Sequence, residues 1–228
     1  MGKLSVVGTP IGNMEDITLR ALRTFREADV IVCEDTRVTR KLLDRHEISK
    51  PTMSYNAHAT DSKHDEIIGL LRDGKHLALV TDAGTPGVSD PGSMLVARVV
   101  AELGDEVTIE AIPGASALTA ALSVAGIPVS EFVFLGFLPH KKGRATAMRG
   151  IAAEERPVAL YESSHRLVKL LGELAETVPA ERTVIVLREL TKLHEEVRRG
   201  SGTELKAWYE THPDTVRGEC VVIVGPAR

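Results

Sequence analysis

Short runs of β-branched and apolar residues alternate along the chain with longer stretches whose apolar positions recur every three or four residues. The short runs predict strands at LSVVG (4–8), VIVCE (30–34), LALVT (77–81), VTIEAI (107–112), FVFLGF (132–137), VALYES (158–163), TVIVLRE (183–189) and CVVIVG (220–225). Helices fit between them. Asp16 or Thr18 can cap one ending near Ala28, Asp35 or Thr36 can cap one through RVTRKLLDRHE, and Asp61 opens SKHDEIIGLLRDG, which Gly74 would stop. MLVARVVAEL, ALTAALSVAG and LVKLLGELAET carry three more apolar stripes at helical spacing. This alternation predicts an α/β protein with largely parallel sheets.

The texture breaks near Gly126, Ile127 and Pro128, after a helix of small residues, so two lobes of ordinary domain size are expected, at 1–118 and 119–228. LPHKKGRATAMRG (138–150) is the most basic and least apolar stretch. It predicts a mobile connection followed by a surface helix.

With 228 residues, 43% of them hydrophobic, the chain can build one large core or two modest ones. The start, MGKLSVVGTP, is too short in apolar residues for a secretory signal, and no run approaches the roughly 18 to 20 needed to span a bilayer, so a soluble, cytoplasmic protein is expected. Cys33 and Cys220 sit inside strand-like runs and read as reduced core thiols. A net charge of −4 and only 4% aromatic residues argue against a generally basic body or a base-stacking platform. A polyanion would need a local patch. Lys141, Lys142, Arg144 and Arg149, extended by Arg37, Arg40 and Lys41, form either that patch or a solvated charged face.

The densest punctuation is TDAGTPGVSDPG (81–92), which follows a strand and precedes a helix. Its glycines permit close backbone approach, while Pro86 and Pro91 stiffen the turns between them, so a rigid ligand loop is expected at the carboxyl end of a strand. GTPIGNMED (8–16) leaves the first strand in the same sense. Neither loop fits G-x-G-x-x-G or G-x-x-x-x-G-K-[ST], which leaves little support for a dinucleotide or P-loop site.

VVGTPIGN, VIVCEDTR, VTDAGTPGVSDPG, IPGASALTAALSVAGIP, FLGFLP, YESSHR and RELTKLHEE, in that order over nearly the whole chain, resemble the tetrapyrrole-methylase superfamily. Within it they look most like the branch that methylates small-subunit ribosomal RNA. The resemblance implies a two-lobed class III methyltransferase fold with S-adenosyl-L-methionine in the inter-lobe cleft, usually as a homodimer. The family's cofactor positions fall on Pro10, on Asp82, Ala83, Gly84, Thr85, Val88, Ser89 and Asp90, on Ser116 and Ala117, on Leu135 and Gly136, and on Tyr161 with Glu162. The implied reaction is 2′-O-methylation of a cytidine ribose in 16S ribosomal RNA, with the small ribosomal subunit as partner. Many members of that branch continue past the strand matched by RGECVVIVG into a small helical module that these 228 residues lack, which puts the grip on the ribosomal substrate in doubt.

Methyl transfer to a hydroxyl needs alignment, exclusion of water and a base or cation for the developing alkoxide. Strand-end candidates are Glu34, Asp35 and Arg37 in CEDTR, Glu162, His165 and Arg166 in YESSHR, and Arg188, Glu189 and Lys192. Asp35 reads equally well as a helix cap with Arg37 as its ion-pair partner. His58 is a further base candidate. His58 and His64 lack metal-site spacing, so no metal is expected, and His46, His76, His140, His194 and His212 are expected to face solvent. Rival readings on the same fold are a tetrapyrrole C-methylase, a diphthine-synthase-like protein methylase and a cofactor-binding sensor without catalysis. The charged strand ends favour a polar substrate over a macrocycle.

Overall fold

The apolar runs become strands, and the computed structural model, which describes residues 1–227, arranges them in two units, Met1–Ser116 and Ala117–Arg228. The first contains β1 (Gly2–Val7), α1 (Leu19–Glu27), β2 (Val30–Cys33), α2 (Thr36–Arg45), β3 (Thr52–Ser54), α3 (Asp61–Arg72), β4 (His76–Leu79), α4 (Gly92–Leu103) and β5 (Val107–Ile112). Its sheet runs β3-β2-β4-β1-β5, every pairing parallel. One face packs Leu4, Leu77 and Leu79 on Ile67 and Leu71 of α3 and on Leu95 and Val99 of α4. The other packs Val7, Ile31 and Ala78 on Phe25 of α1 and Leu42 of α2. Helices on both faces explain why these strands read as continuous apolar runs.

Local chemistry sets the helix starts. Thr18 caps α1 by accepting from the Ala21 amide at 3.1 Å, and Asp35 caps α2 through the Arg37 amide at 2.8 Å. Thr60, one residue before the expected Asp61, caps α3, and Gly74 follows that helix with φ of +79°. The expectation that five histidines face solvent is corrected at two of them: His46 has its Nε2 buried, and His76 does not simply face water. The His76 Nε2 lies 2.8 Å from Ser5 Oγ, whose proton goes to Glu110 at 2.7 Å, and burial pushes the imidazole pKa down.

The second unit contains α5 (Ala117–Val124), β6 (Val133–Phe137), α6 (Arg144–Ala153), β7 (Val158–Ser163), α7 (Ser164–Thr177), β8 (Val184–Arg188), β9 (Glu196–Gly200), α8 (Gly202–Thr211) and β10 (Glu219–Val224). The sheet order is β6-β7-β10-β8-β9. Here the expectation of parallel strands fails. Only β6 and β7 are parallel, because β10 inserts antiparallel between β7 and β8, and β9 folds straight back on β8. Strand β9 has the charged sequence EVRRG and was invisible to apolar periodicity; charge suits it to the sheet edge. From it Arg199 reaches the end of α5, donating to Ala125 O at 2.8 Å and Val124 O at 2.5 Å.

The segment 138–150 also differs from expectation. Arg144, Met148 and Ile151 of α6 are buried, and Arg144 Nε donates to Glu173 at 2.8 and 3.0 Å, so Arg144 leaves the basic patch. Both cysteines are buried and unpaired, and burial pushes the Cys220 thiol up to about 12. Among the described residues no helix is long and apolar enough to cross a membrane.

Arg182 is buried between α6 and the end of β10, where it donates to Gly225 O at 2.6 and 2.9 Å and to Ile151 O at 3.0 Å. Arg182→Met keeps the volume but strips these carbonyls of their donor. Urea unfolding should show a loss of roughly 2–4 kcal/mol; an unchanged midpoint would mean that water replaces the guanidinium.

Candidate functional site

In the first unit all parallel strands discharge their loops at one end, where ligands of such sheets bind. The loops after β1 and β4 are sewn together there. The Thr9 amide donates to Gly84 O at 2.9 Å, the Gly84 amide returns to Thr9 O at 3.2 Å, and Thr9 Oγ1 is shared between Thr81 O at 3.2 Å and Gly84 O at 3.3 Å. The loop after β5 joins them, since Thr85 Oγ1 donates to Ala115 O at 3.2 Å. At its root, backbones touch: a Cβ on Gly114 would lie 2.8 Å from Gly8 O, and one on Gly8 would lie 2.8 Å from Gly114 Cα. Only glycine allows that approach.

The candidate cofactor residues of this unit gather in these loops. Pro10 is buried beside the Thr9 bridge; Asp82, Ala83 and Val88 are exposed on the 81–92 loop, with Thr85 half-buried; Ser116 ends the loop after β5. Gly84 has φ of +85°, a conformation that favours glycine, and a Cβ there would only touch Ile11 at 3.4 Å. Ser89, with φ of +63°, holds a left-handed conformation that costs a non-glycine residue energy and gathers at functional loops. Asp90 points inward: it accepts from the Gly87 amide at 2.8 and 2.9 Å and from the Gly92 amide at 2.6 Å, so it shapes the loop and anchors the start of α4.

CEDTR closes the same end. Glu34 accepts from Thr81 Oγ1 at 3.1 Å, and the Asp35 amide donates to Asp82 at 3.0 Å. Asp35 itself is the cap of α2, and its carboxylate is gripped by Arg37 Nη2 at 2.6 Å and Nε at 3.1 Å. The Arg37 guanidinium lowers the Asp35 carboxyl to about 2, which makes it a weak base near neutrality. Burial raises Asp82 instead. Of the two readings of Asp35, the geometry matches cap and ion-pair partner.

The second unit has its own strand-end cluster. Cys220 of β10 pairs with Glu162 on β7 and with Arg188 on β8, so YESSHR and RELTK meet at one end of the sheet. Leu135 and Gly136 lie where the β6–β7 register slips between Phe134 and Phe137, and Gly136 has φ of +61°. Bulges of this kind re-aim side chains beside sites. The Tyr161 ring meets Phe134 and Phe137 at centroid distances of 4.9 and 5.5 Å. Ala117 opens α5, His165 is exposed on the first turn of α7, and the Glu162 side chain is fully buried. Glu189 sits at φ of +53°, with Lys192 Nζ 2.8 Å away and the Glu219 amide at 3.2 Å. Burial opposes its charge, but the Lys192 ammonium and the Glu219 amide outweigh burial and hold the carboxyl below its usual range.

The clamps were missed by sequence reasoning. Thr9, Thr81, Gly8 and Gly114 matter through partners far along the chain, although IPGA after β5 repeats the strand-glycine-helix pattern of VVGTP after β1 and could have flagged Gly114. His58 is exposed, and His64 is buried with its Nε2 2.9 Å from Tyr55 Oη. Among the described residues no cluster of three or more His, Cys, Asp or Glu is placed to hold a metal ion.

Gly114→Ala forces a methyl against Gly8 and should part the loops after β1 and β5. Overpacking costs of about 1–3 kcal/mol predict a lower Tm together with weaker S-adenosylmethionine binding by calorimetry; unchanged affinity would show that the loops do not form one cradle. The Asp35 carboxyl, lowered by Arg37, should stay ionised as pH falls until about 2, and the clamp should be lost below that. A Cγ resonance titrating near the ordinary carboxylate value would contradict the fork.

Residues 3–206 match the family model described as Tetrapyrrole (Corrin/Porphyrin) Methylases. Ribosomal RNA small subunit methyltransferase I of Thermotoga maritima is 47% identical over 210 residues, covering 92% of this chain and 93% of the relative. The protein of the same name from Mesorhizobium japonicum is 44% identical, covering 98% of this chain and 75% of the relative. Among solved structures, the methyltransferase CobJ superposes with a TM-score of 0.72 at 20% identity, over 100% of this chain and 95% of that one. Uroporphyrin-III-C-methyltransferase from Thermus thermophilus gives 0.68 at 21%, over 99% and 94%, and likenesses at this identity establish the fold. The chain belongs to the tetrapyrrole (corrin/porphyrin) methylase family, in the group of its curated relatives named ribosomal RNA small subunit methyltransferase I.

Proposed function

We propose that the chain transfers a methyl group from S-adenosyl-L-methionine to the ribose 2′-oxygen of a cytidine in 16S ribosomal RNA of the small subunit. The observation that carries this reading is the stitched glycine cradle at the ends of β1, β4 and β5, in a chain nearly half identical to a relative named ribosomal RNA small subunit methyltransferase I. The cradle fits the cofactor's chemistry: the positive-φ turn at Gly84, a rigid turn around Asp90, and the acidic Asp82 suit a small zwitterion with ribose hydroxyls. When bound, S-adenosylmethionine supplies a methyl on a positively charged sulfur, so the departing group leaves neutral.

Little covalent work then falls to the protein. The residues from Asp82 to Val88 and Pro10 hold and orient; the sewn loops keep their shape and exclude water. A ribose hydroxyl is a weak nucleophile and must lose its proton as it attacks. Glu34, positioned by Thr81 at 3.1 Å, is the candidate base of the first unit, whereas Asp35 is occupied by Arg37. In the second unit Glu189 is bound to Lys192, which leaves the exposed His165 as the more available proton acceptor. The exposed Arg40, Lys41, Lys141, Lys142 and Arg149 give a chain of net charge −4 local places to meet phosphate. Action in the cytoplasm as a homodimer belongs to the same reading, and sedimentation at micromolar concentration checks the dimer.

Mass spectrometry of ribosomal RNA from cells lacking the gene should show one small-subunit cytidine without its ribose methyl. The wild-type gene should restore it, and Glu34→Gln should restore it more slowly by roughly a hundredfold or more, the usual scale for losing a general base. If every ribose methyl persists while labelled cofactor marks a tetrapyrrole or a protein instead, the substrate assignment fails.

A further inference from the structure

The Glu162 carboxylate is enclosed by its own unit. Its Oε1 accepts from the Ser163 amide at 2.9 Å and lies 3.2 Å from Arg166 Nε, and its Oε2 lies 3.8 Å from Arg144 Nη2. Arg144 is in turn paired with Glu173 at 2.6 Å. Two arginines thus meet two glutamates, and the network is internally neutral. Burying it is expensive, so the arrangement calls for a return other than stability.

That return lies in what else the arginines hold. Arg166 Nη2 donates to Leu138 O at 2.8 Å and its Nη1 lies 3.3 Å from His140 Nε2, while Arg144 Nη1 donates to Pro139 O at 3.2 Å. The segment expected from its composition to be mobile is therefore pinned at its root by side chains that converge on Glu162. At its tip Lys141 and Lys142 are exposed and, among the described residues, join no ion pair. A merely solvated pair of lysines needs no buried scaffold. Two unneutralised cations on a pinned turn fit a phosphate backbone.

We propose that Glu162 is a positioning residue: through Arg144 and Arg166 it fixes the 138–143 turn so that Lys141 and Lys142 contact the phosphates of the RNA substrate. The inference rests on the ribosomal reading for the identity of the polyanion, but not for the anchoring. It gives Glu162 a role beside those of base and cofactor ligand that resemblance implied: the side chain is fully buried and its Oε1 lies 3.2 Å from Arg166 Nε, while its Oε2, 3.8 Å from Arg144 Nη2, has no hydrogen-bond partner among the described residues.

The test has two arms on the full chain. Without RNA, Glu162→Gln should lower Tm, since it leaves Arg166 and Arg144 without their buried counter-charge, and at temperatures well below that Tm it should speed tryptic cleavage after Lys141 and Lys142 at least fivefold more than cleavage elsewhere. With a small-subunit RNA fragment, Lys141→Gln/Lys142→Gln should reduce the slope of log affinity against log salt by about 1.4, or on the order of tenfold in affinity at about 0.15 M salt, as expected for two lost phosphate contacts. Glu162→Gln should reproduce part of that change, raising KM more than it lowers kcat. Arg166→Gln, which cuts the link to Leu138 O, serves where Glu162→Gln does not fold. Glu162→Gln with wild-type cleavage and wild-type salt slope overturns the proposal. Faster cleavage with an unchanged slope in the double lysine variant overturns the RNA contact and leaves the ribosomal reading standing; wild-type protein that binds no small-subunit RNA at any salt sinks that reading, while the cleavage arm still decides the anchoring.

Discussion

The contact between Gly8 and Gly114 is the constraint on which the first unit's site depends. Two loops leave adjacent parallel strands and must come within van der Waals contact of bare backbone before Thr9 can bridge to Gly84 and Thr85 to Ala115. Each bridge is an ordinary hydrogen bond of modest net worth. Together they turn three separate strand exits into one rigid surface, and Glu34 and Asp82 are carried on it by Thr81 and by the Asp35 amide. Preorganisation of this kind suits a transfer in which alignment matters more than covalent chemistry.

The second unit solves a different problem. Its sheet is mainly antiparallel, so its strand ends do not all point one way; β10, running between β7 and β8, brings Glu162 and Arg188 to either side of Cys220. Charges there meet in ion pairs: Glu162 is buried beside Arg144 and Arg166, and the half-buried Glu189 pairs with Lys192. Removing one member of such a set leaves an uncompensated charge, which links chemistry and folding in this half of the chain.

Much of this was legible in the residues. Short β-branched and apolar runs marked eight of the ten strands among the described residues, most clearly where a strand such as β8 is buried on both faces. Strand β3, three residues long, and the charged edge strand β9 were not legible, since each owes its structure to a neighbour's hydrogen bonds and not to its own pattern. Strand direction in the second sheet was equally hidden. Periodicity reports which side chains are buried, not which strand lies alongside.

The glycine and proline spacing of 81–92 and 8–13 was sufficient by itself to specify rigid loops at strand ends, because φ preferences and ring closure are properties of single residues. Family motifs, likewise, are a property of order along the chain. Only the tertiary structure decided what individual charges do: Arg144 and Arg149 are five residues apart in one basic stretch, yet one is buried against Glu173 and the other is exposed. Asp35 became a cap, and Glu162 a buried partner of two arginines, for the same reason. A side chain's ionic role is set by distance and dielectric, and both are fixed by residues remote in sequence.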